Sequence, residues 1–165
     1  MLKGVEKVEP GYAGGKVDNP SYENVSSGTT GHAEVIRVTY DPAIISYEDL
    51  LTVFFGSHDP TTPNRQGADV GEQYRSVIFF GTEEERATAE RVAREIQDSL
   101  KDGTHVVTQI LPLPAGRQGS SGFFSAESYH QNYFKENTSA PYCQLVIEPK
   151  IEKLKERFAE LVKQT

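Results

Sequence analysis

The chain is organised around the stretch TGHAEVIRV, which occupies residues 30–38. Glu34, Ile36, Val38 and Tyr40 alternate with the residues between them, and this period of two predicts a β-strand from Glu34 to Tyr40. Glu34 begins that strand directly after a turn that contains Gly31. The sequence therefore places a carboxylate at the mouth of an apolar strand.

A second polar cluster lies in the loop HDPTTPNRQGADVG, residues 58–71. It leads through Tyr74 into the continuous apolar run SVIFF at residues 76–80, which is typical of a buried strand. Both clusters adjoin a predicted strand, so we interpret them as two walls of one pocket, formed by residues 22–74.

The composition indicates one globular domain and argues against several classes of partner. With 165 residues, of which 36% are hydrophobic and 25% charged, a single domain over residues 1–165 is predicted. The net charge of −7 argues against nucleic acid, which binds clustered Lys and Arg. No run approaches the roughly 20 apolar residues of a membrane span, and the first residues do not resemble a secretory signal. We expect no nucleic-acid or membrane partner and a cytoplasmic location.

The remaining patterns predict alternating strands and helices. Residues 3–29, rich in Gly and Pro, are predicted to be a long, ordered loop that contributes to the site. Further strands are predicted at 105–111 and 143–147, helices at 46–56, 82–101 and 149–162, and a short helical piece at 126–134. Ser46 with Asp49 and Thr82 with Glu85 have the spacing of helix N-terminal capping boxes. An α/β or α+β two-layer sandwich is the natural architecture for this order.

Glu34 is the leading candidate for acid–base chemistry. In a partly apolar pocket a carboxyl group has a raised pKa and can serve as a general acid. The alternative is a carboxylate on an exposed strand end, with an ordinary pKa and no catalytic role. Tyr22 and Tyr74 are candidate hydrogen-bond donors beside it, with simple packing as the alternative. Asp69 precedes Val70-Gly71, where an aspartate also commonly makes a turn.

The sequence offers little support for metal binding or for an attacking group. His32, Glu34, His58, Asp59 and Asp69 lack any spacing typical of metal ligands, so no metal site is predicted. The single cysteine, Cys143, excludes an intramolecular disulfide and is expected to be a small core residue. From the residues alone, the pocket has an acid but no obvious nucleophile.

A series of motifs resembles the peptide methionine-S-sulfoxide reductases (MsrA) in order along nearly the whole chain. The matching segments are GYAGG at 11–15, NPSYE at 19–23, TGHAE at 30–34, HDPTT at 58–62, NRQG at 64–67, DVG at 69–71, QYRS at 73–76, AE at 126–127, YHQ at 129–131 and PYCQ at 141–144. The resemblance identifies the chain as a member of this family.

The resemblance implies a thiol-dependent reduction of methionine-S-sulfoxide, in proteins and as the free amino acid. Glu34 falls on the family's general acid, Tyr22 and Tyr74 on the hydroxyls that bind the sulfoxide oxygen, and Asp69 on a positioning and polarising carboxylate. A cysteine thiolate attacks the sulfur, a second thiol then forms a disulfide, and thioredoxin reduces it. No metal or organic cofactor is implied; thioredoxin or dithiothreitol is the reductant.

The sequence also departs from the family pattern. The family's attacking cysteine lies in a Gly-Cys-Phe-Trp-Cys motif at the end of a strand, ahead of the helix that leads into Leu2-Lys3-Gly4-Val5. The 165 residues lack this motif and contain no tryptophan. The implied fold is therefore α+β, a two-layer α/β sandwich of the ferredoxin-like plait type, without the first strand and most or all of the first helix. Residues 113–122 match a loop insertion.

Three hypotheses follow for the activity of these residues. The first is a sulfoxide reductase whose residues 1–165 alone are inactive because the nucleophile is absent. The second is a non-catalytic sulfoxide-binding remnant or one fragment of a split reductase. The third recruits Cys143 as the nucleophile.

Overall fold

The computed structural model describes residues 2–114 and 122–163 and has a mixed α+β architecture. The strands are β1 Val5–Ala13, β2 Ala33–Tyr40, β3 Arg65–Gln66, β4 Asp69–Val70, β5 Val77–Phe80, β6 Gln109–Pro112 and β7 Phe123–Ser125. The α-helices are α1 Tyr22–Ser26, α2 Tyr47–Ser57, α3 Glu83–Ser99, α4 Tyr133–Glu136 and α5 Glu148–Arg157. Residues Glu72–Tyr74 and Ser128–His130 form 3₁₀ turns, and Cys143–Ile147 form a π-helical segment. The predicted α+β class is confirmed.

β1 is the centre of a three-stranded antiparallel sheet in the order β2-β1-β7. Its register places Tyr12 opposite Glu34 of β2 on one side and opposite Phe124 of β7 on the other. Side chains directly opposite each other on antiparallel strands share a face of the sheet. Tyr12 and Glu34 therefore lie side by side.

The second sheet is the parallel pair β5–β6, which is covered by α2 and α3. The core between them is formed by Leu51, Phe55, Ile78, Ala89 and Val92, all less than one-tenth exposed. Both helices begin with the predicted capping boxes. Ser46 and Asp49 exchange side chain to backbone hydrogen bonds of 3.0 and 3.1 Å, and Thr82 and Glu85 exchange bonds of 3.2 and 3.3 Å. These exchanges satisfy N–H groups that a helix start otherwise leaves unpaired.

A trough separates the β2-β1-β7 sheet from the β5–β6 sheet, and β3 and β4 form a small third sheet. Residues 34–38 of β2 and 77–79 of β5 line one cavity of about 800 Å³, together with residues from α2. Among the described residues, β2 pairs only with β1 and β5 only with β6, so each strand has one edge without a strand partner. Ile36 is 60% exposed within this trough. None of the described helices has both the length and the apolarity of a membrane span.

The prediction of one long loop over residues 3–29 is wrong. It contains the nine-residue strand β1 and the short helix α1. Pro10 and Gly11, which suggested a break, lie inside β1, and the Phe123 ring and the Phe124 carbonyl approach Gly11 where a side chain would stand. Glycine in a strand here marks the close approach of another backbone, not the end of the strand.

The predicted strand at residues 143–147 is also wrong, because these residues form the π-helical segment that continues directly into α5. A short apolar run does not by itself distinguish a strand from a helix, and the chain here continues as a helix. The predicted strand at 105–111 is confirmed only over its second half, which belongs to β6. The helix predicted for 149–162 ends at Arg157, and the piece at 126–134 is a 3₁₀ turn followed by α4. The proposed insertion at 113–122 falls largely on residues 115–121, outside the described residues.

Replacing Gly11 by alanine is expected to lower the free energy of unfolding by about 1–3 kcal/mol. The new methyl group meets the Phe123 ring and the Phe124 backbone oxygen, so β7 must move away from β1. Urea unfolding followed by circular dichroism measures the change. Gly81→Ala is the matched control, because its methyl group finds its nearest neighbour, Glu85 Oε2, at 3.5 Å. Equal stabilities for the two variants would contradict the prediction.

Candidate active site

The Glu34 carboxyl group lies half-buried at the mouth of β2 and faces the trough. Its Oε1 is buried and has no hydrogen-bond partner among the described residues. Burial, followed by the negative charge of Asp69, raises the pKa of this carboxyl, while the Tyr74 hydroxyl, a hydrogen-bond donor, opposes part of the rise. The functional alternative for Glu34, a carboxyl group in a partly apolar pocket, therefore fits the structure better than an exposed strand end.

Tyr74 and Asp69 contribute the second polar cluster to the same cavity. Tyr74 ends the 3₁₀ turn Glu72–Tyr74, and burial together with the charge of Glu34 raises the pKa of its hydroxyl to about 12. That hydroxyl therefore remains a hydrogen-bond donor at neutral pH. Asp69 lies on β4, opposite Gln66 of β3, and is exposed.

Tyr22 is the first residue of α1 and lines the same cavity. Ser21 caps this helix: its hydroxyl oxygen accepts a hydrogen bond from the Asn24 N–H. In return, the Asn24 Oδ1 atom accepts one from the Ser21 N–H. The Tyr22 ring packs against the His130 ring with centroids 4.8 Å apart. The four residues predicted for the site, Tyr22, Glu34, Asp69 and Tyr74, thus line one cavity although they come from four different elements.

Side-chain hydrogen bonds to backbone carbonyls hold these elements together. Gln73, only 6% exposed, donates from Nε2 to the Ser26 carbonyl at 3.3 Å and so links the turn that carries Tyr74 to α1. Arg75 donates from Nη2 to the Gly31 carbonyl at 3.0 Å, which links the same turn to the start of β2. The segment from Gln73 to Arg75 therefore connects both walls of the pocket.

Among the lining residues that were not predicted for the site, His130 and Tyr142 have polar groups suited to binding. The His130 Nε2 atom is buried and has no hydrogen-bond partner among the described residues. Burial and the charge of Asp69 raise the pKa of the Tyr142 hydroxyl, so it stays protonated at neutral pH. Both belong to segments that carried the family resemblance, and that was the only signal in the sequence that marked them.

Two of the other histidines, His32 and His58, make hydrogen bonds that stabilise the fold. His32, 2% exposed, accepts at Nδ1 from the Gly15 N–H at 3.1 Å and donates from Nε2 to the Val17 carbonyl at 2.8 Å. His58 donates from Nδ1 to the Phe54 carbonyl at 2.7 Å, which leaves Nε2 to accept from the Ser76 hydroxyl at 2.7 Å. Across residues 2–114 and 122–163, no group of three or more His, Cys, Asp or Glu side chains is arranged to hold a metal ion.

Cys143 is fully buried in the π-helical segment and is not among the residues that line the cavity. The neighbouring Tyr142 does line it. The position of the thiol agrees with the expectation of a small core residue.

The site combines a carboxyl group of raised pKa with hydroxyl donors around it. Such a constellation donates hydrogen bonds and a proton to an oxygen atom that gains negative charge during a reaction. It contains a carboxyl group chemically able to act as a general acid, and none of the described residues lining it is a thiol.

Comparison with known proteins gives consistent matches. The family model described as peptide methionine sulfoxide reductase matches residues 1–162. The chain is 47% identical to the peptide methionine sulfoxide reductase MsrA of Sulfolobus acidocaldarius over 159 residues, which cover 96% of this chain and 85% of the relative. It is 51% identical to the MsrA of Haloquadratum walsbyi over 159 residues, covering 96% of this chain and 86% of the relative.

Solved structures give the same picture. The structure is similar to the crystal structure of Mxr1 from Saccharomyces cerevisiae in reduced form, with a TM-score of 0.74 and 34% identity over 85% of this chain and 76% of that chain. It is also similar to methionine sulfoxide reductase A of Corynebacterium diphtheriae, with a TM-score of 0.68 and 32% identity over 83% of this chain and 66% of that chain.

Replacing Glu34 by glutamine is expected to raise the free energy of unfolding at neutral pH, and the gain should shrink as the pH is lowered. A raised folded-state pKa means that the group's stabilising contribution is fully present below its unfolded value of about 4.5 and is lost as the pH rises through the folded pKa. Glutamine stays neutral, so the variant keeps this stabilising contribution as the pH rises. Urea unfolding at several pH values between about 4 and 8 measures the difference.

Two further variants test the cause of the raised pKa. Asp69→Asn removes a negative charge and should lower the pKa of Glu34, whereas Tyr74→Phe removes a hydrogen-bond donor and should raise it. Carbon-13 NMR titration of the Glu34 carboxyl group distinguishes the two signs. Shifts in the same direction, or a pH-independent effect of Glu34→Gln, would contradict the assignment.

Proposed function

The chain belongs to the peptide methionine sulfoxide reductase family, and we propose that the pocket around Glu34 is the part of its active site that receives the sulfoxide oxygen. The protein is an oxidoreductase of this family, acting on the sulfur of methionine sulfoxide. The observation that supports the site assignment is the half-buried Glu34 carboxyl group, with its raised pKa and its unpartnered Oε1 in the cavity. A carboxyl group of raised pKa is suited to proton donation, and its unpartnered oxygen offers a position for a ligand oxygen.

In this proposal Glu34 is the general acid and the tyrosines are oxygen-binding groups. The hydroxyls of Tyr22 and Tyr74 donate hydrogen bonds to the sulfoxide oxygen, and the charge of Asp69 keeps the pKa of Glu34 high. A sulfoxide oxygen accepts hydrogen bonds and becomes more basic as the sulfur is attacked. The donors therefore stabilise the transition state more than the bound substrate, as catalysis requires.

The reaction transfers the oxygen from one sulfur to another. A cysteine thiolate forms a bond to the sulfoxide sulfur while Glu34 gives its proton to the oxygen. The resulting hydroxyl group moves to the cysteine sulfur as the sulfur–sulfur bond and the original sulfur–oxygen bond break, which leaves a thioether and a cysteine sulfenic acid. The methionine sulfur gains two electrons and the cysteine sulfur loses two. A second thiol condenses with the sulfenic acid to form a disulfide and water, and thioredoxin reduces that disulfide.

We propose oxidised proteins and free methionine sulfoxide, both as the S epimer, as substrates, and the cytoplasm as the compartment. The proposal of thioredoxin and of a reducing compartment rests on the chemistry, because both thiols must be returned to the reduced state after each turnover.

The attacking thiol in this proposal does not come from residues 1–165. Cys143 is their only cysteine, it is fully buried, and it is not among the lining residues of the pocket. Glu34 and the tyrosines donate protons but cannot supply the two electrons that the sulfoxide sulfur must gain.

The trough between β2 and β5 supports a separate sulfur-attacking segment. Two strand edges that have no strand partner within residues 2–114 and 122–163 line it, and an extended segment lying between them gains backbone hydrogen bonds on both sides. Such a segment would end beside Glu34, at the mouth of β2. The alternative function is a protein that only binds sulfoxides, in which nothing supplies the thiol.

The purified 165-residue chain is expected to show no dithiothreitol-dependent reduction of a methionine-S-sulfoxide peptide, because no thiol of the chain lines the pocket. Product formation measured by chromatography tests this. Cys143→Ser is the matched control and should behave identically. Turnover that disappears in Cys143→Ser would overturn the proposal and assign the nucleophile to Cys143.

A synthetic peptide with an apolar strand ending in Gly-Cys-Phe-Trp-Cys is expected to restore turnover when added to the chain. The gain should be at least about tenfold over a control peptide in which serine replaces the first cysteine, since the hydroxyl is a far weaker nucleophile than a thiolate. Equal rates with both peptides contradict the proposal. Binding of the first peptide and of sulfoxide without turnover would favour the sulfoxide-binding alternative.

A further inference from the structure

Glu127 connects two elements of the site through a single carboxylate. Its Oε1 accepts a hydrogen bond of 2.7 Å from the backbone N–H of Tyr22, and its Oε2 accepts one of 2.8 Å from the Tyr12 hydroxyl. Glu127 is 105 residues from Tyr22 along the chain and 115 from Tyr12. Glu127 belongs to a motif of the family resemblance, but the proposed acid–base chemistry gives it no role.

The two contacts of Glu127 reach a proposed oxygen-binding residue, Tyr22, and a residue next to Glu34, Tyr12. Tyr22 opens α1, so its N–H has no partner within the helix, and the carboxylate supplies one. Tyr12, 2% exposed, lies opposite Glu34 in the β1–β2 register. The carboxylate therefore fixes the helix that carries Tyr22 relative to the strand that adjoins Glu34.

Glu127 is itself held in place by the surrounding backbone. Gln131 donates from Nε2 to the carbonyls of Ala126 at 3.0 Å and of Pro10 at 3.1 Å, and Ala126 donates its N–H to the Pro10 carbonyl at 2.9 Å. These bonds anchor the segment that carries Glu127 to β1. Burial alone would raise the pKa of Glu127, but the Tyr22 N–H and other donors outweigh it, so the net pKa is lowered and the group is ionised at neutral pH.

We propose that Glu127 is a positioning residue for sulfoxide recognition, holding α1 where the Tyr22 hydroxyl meets the oxygen bound by Tyr74 and Glu34. This inference rests on the proposed function. Glu127 does not touch the oxygen, and its effect passes through the backbone of Tyr22. The consequence is specific: Glu127 contributes to preference for a sulfoxide over the corresponding thioether, because only the sulfoxide has an oxygen for Tyr22 to bind.

The test compares two probes, N-acetyl-methionine-(S)-sulfoxide methylamide and its thioether counterpart, titrated into the 165-residue chain by NMR. In Glu127→Gln the amide offers one acceptor in place of two and turns an N–H group toward a donor. We expect the preference for the sulfoxide to fall by up to about tenfold, the upper end for the loss of one hydrogen bond between neutral groups, here the one from the Tyr22 hydroxyl to the sulfoxide oxygen. Tyr22→Phe should lose a similar factor, and the double variant should lose no more than Tyr22→Phe alone, since both changes remove the same interaction.

Two further variants guard the interpretation. Glu23→Gln, an exposed glutamate on the same helix, should leave the preference unchanged. Tyr12→Phe removes one of the two contacts to Glu127, so a smaller loss is expected, and it provides the answer if Glu127→Gln does not fold.

The outcomes separate the two hypotheses. If the unmodified chain shows no preference for the sulfoxide, the proposed function is overturned and the positioning role with it. If the unmodified chain prefers the sulfoxide and the Glu127 and Tyr12 variants retain that preference, the positioning role alone is overturned. Equal weakening of both probes in Glu127→Gln, or additive losses with Tyr22→Phe, would also overturn it, because these results indicate general loosening of the fold.

Discussion

The antiparallel ladder between β1 and β2 is the constraint on which the rest of the site depends. It runs from Val5 paired with Tyr40 to Ala13 paired with Ala33, and it fixes which face of β2 carries Glu34. A shift of one residue would turn Glu34 to the opposite face, away from Tyr12 and from the trough. Glu127, Gln131 and β7 each make a contact to β1. The register therefore sets the geometry of the pocket wall that carries Glu34.

The electrostatics of the pocket follow from that geometry. Glu34 lies in a half-buried position near the negative charge of Asp69, and both effects favour its protonated form. Glu127 bonds to Tyr12, which lies opposite Glu34 in the β1–β2 register, but its two acceptor contacts favour the ionised form. Two glutamates in one small region thus have opposite preferences, because one lacks donors at its buried oxygen and the other has a donor at each oxygen. The glutamate with the raised pKa suits acid catalysis, and the glutamate with the lowered pKa suits the fixing of a helix start.

In the proposed mechanism, the oxygen-binding groups and the sulfur-attacking group come from different segments of the fold. The oxygen-binding groups come from β2, from the turn before β5 and from α1, and hydrogen bonds of Gln73 and Arg75 connect these elements. The trough beside them offers two strand edges but no thiol among the described residues. In the proposal, the sulfur-attacking group reaches the oxygen-binding groups only when an extended segment completes the sheet between β2 and β5.

Local patterns sufficed for the elements that local interactions stabilise. The capping boxes at Ser46 and Thr82 and the alternation in β2 identified these elements, and the ordered motifs identified the family and four residues that line one pocket. The strand over Pro10 and Gly11 was missed, because a neighbouring backbone stabilises it and the residues themselves disfavour it. The apolar run at Cys143 was assigned to a strand, because five residues fit both periods and only the continuation into α5 decides between them.

The sequence by itself thus determined the family, the α+β class and the chemical types present at the site, since residue identity and short-range spacing carry that information. The tertiary structure alone decided the raised pKa of Glu34, the link from Glu127 to Tyr22 and the trough between the two sheets. The physical reason is that burial, charge proximity and free strand edges depend on which distant residues meet, and a linear pattern contains no distances.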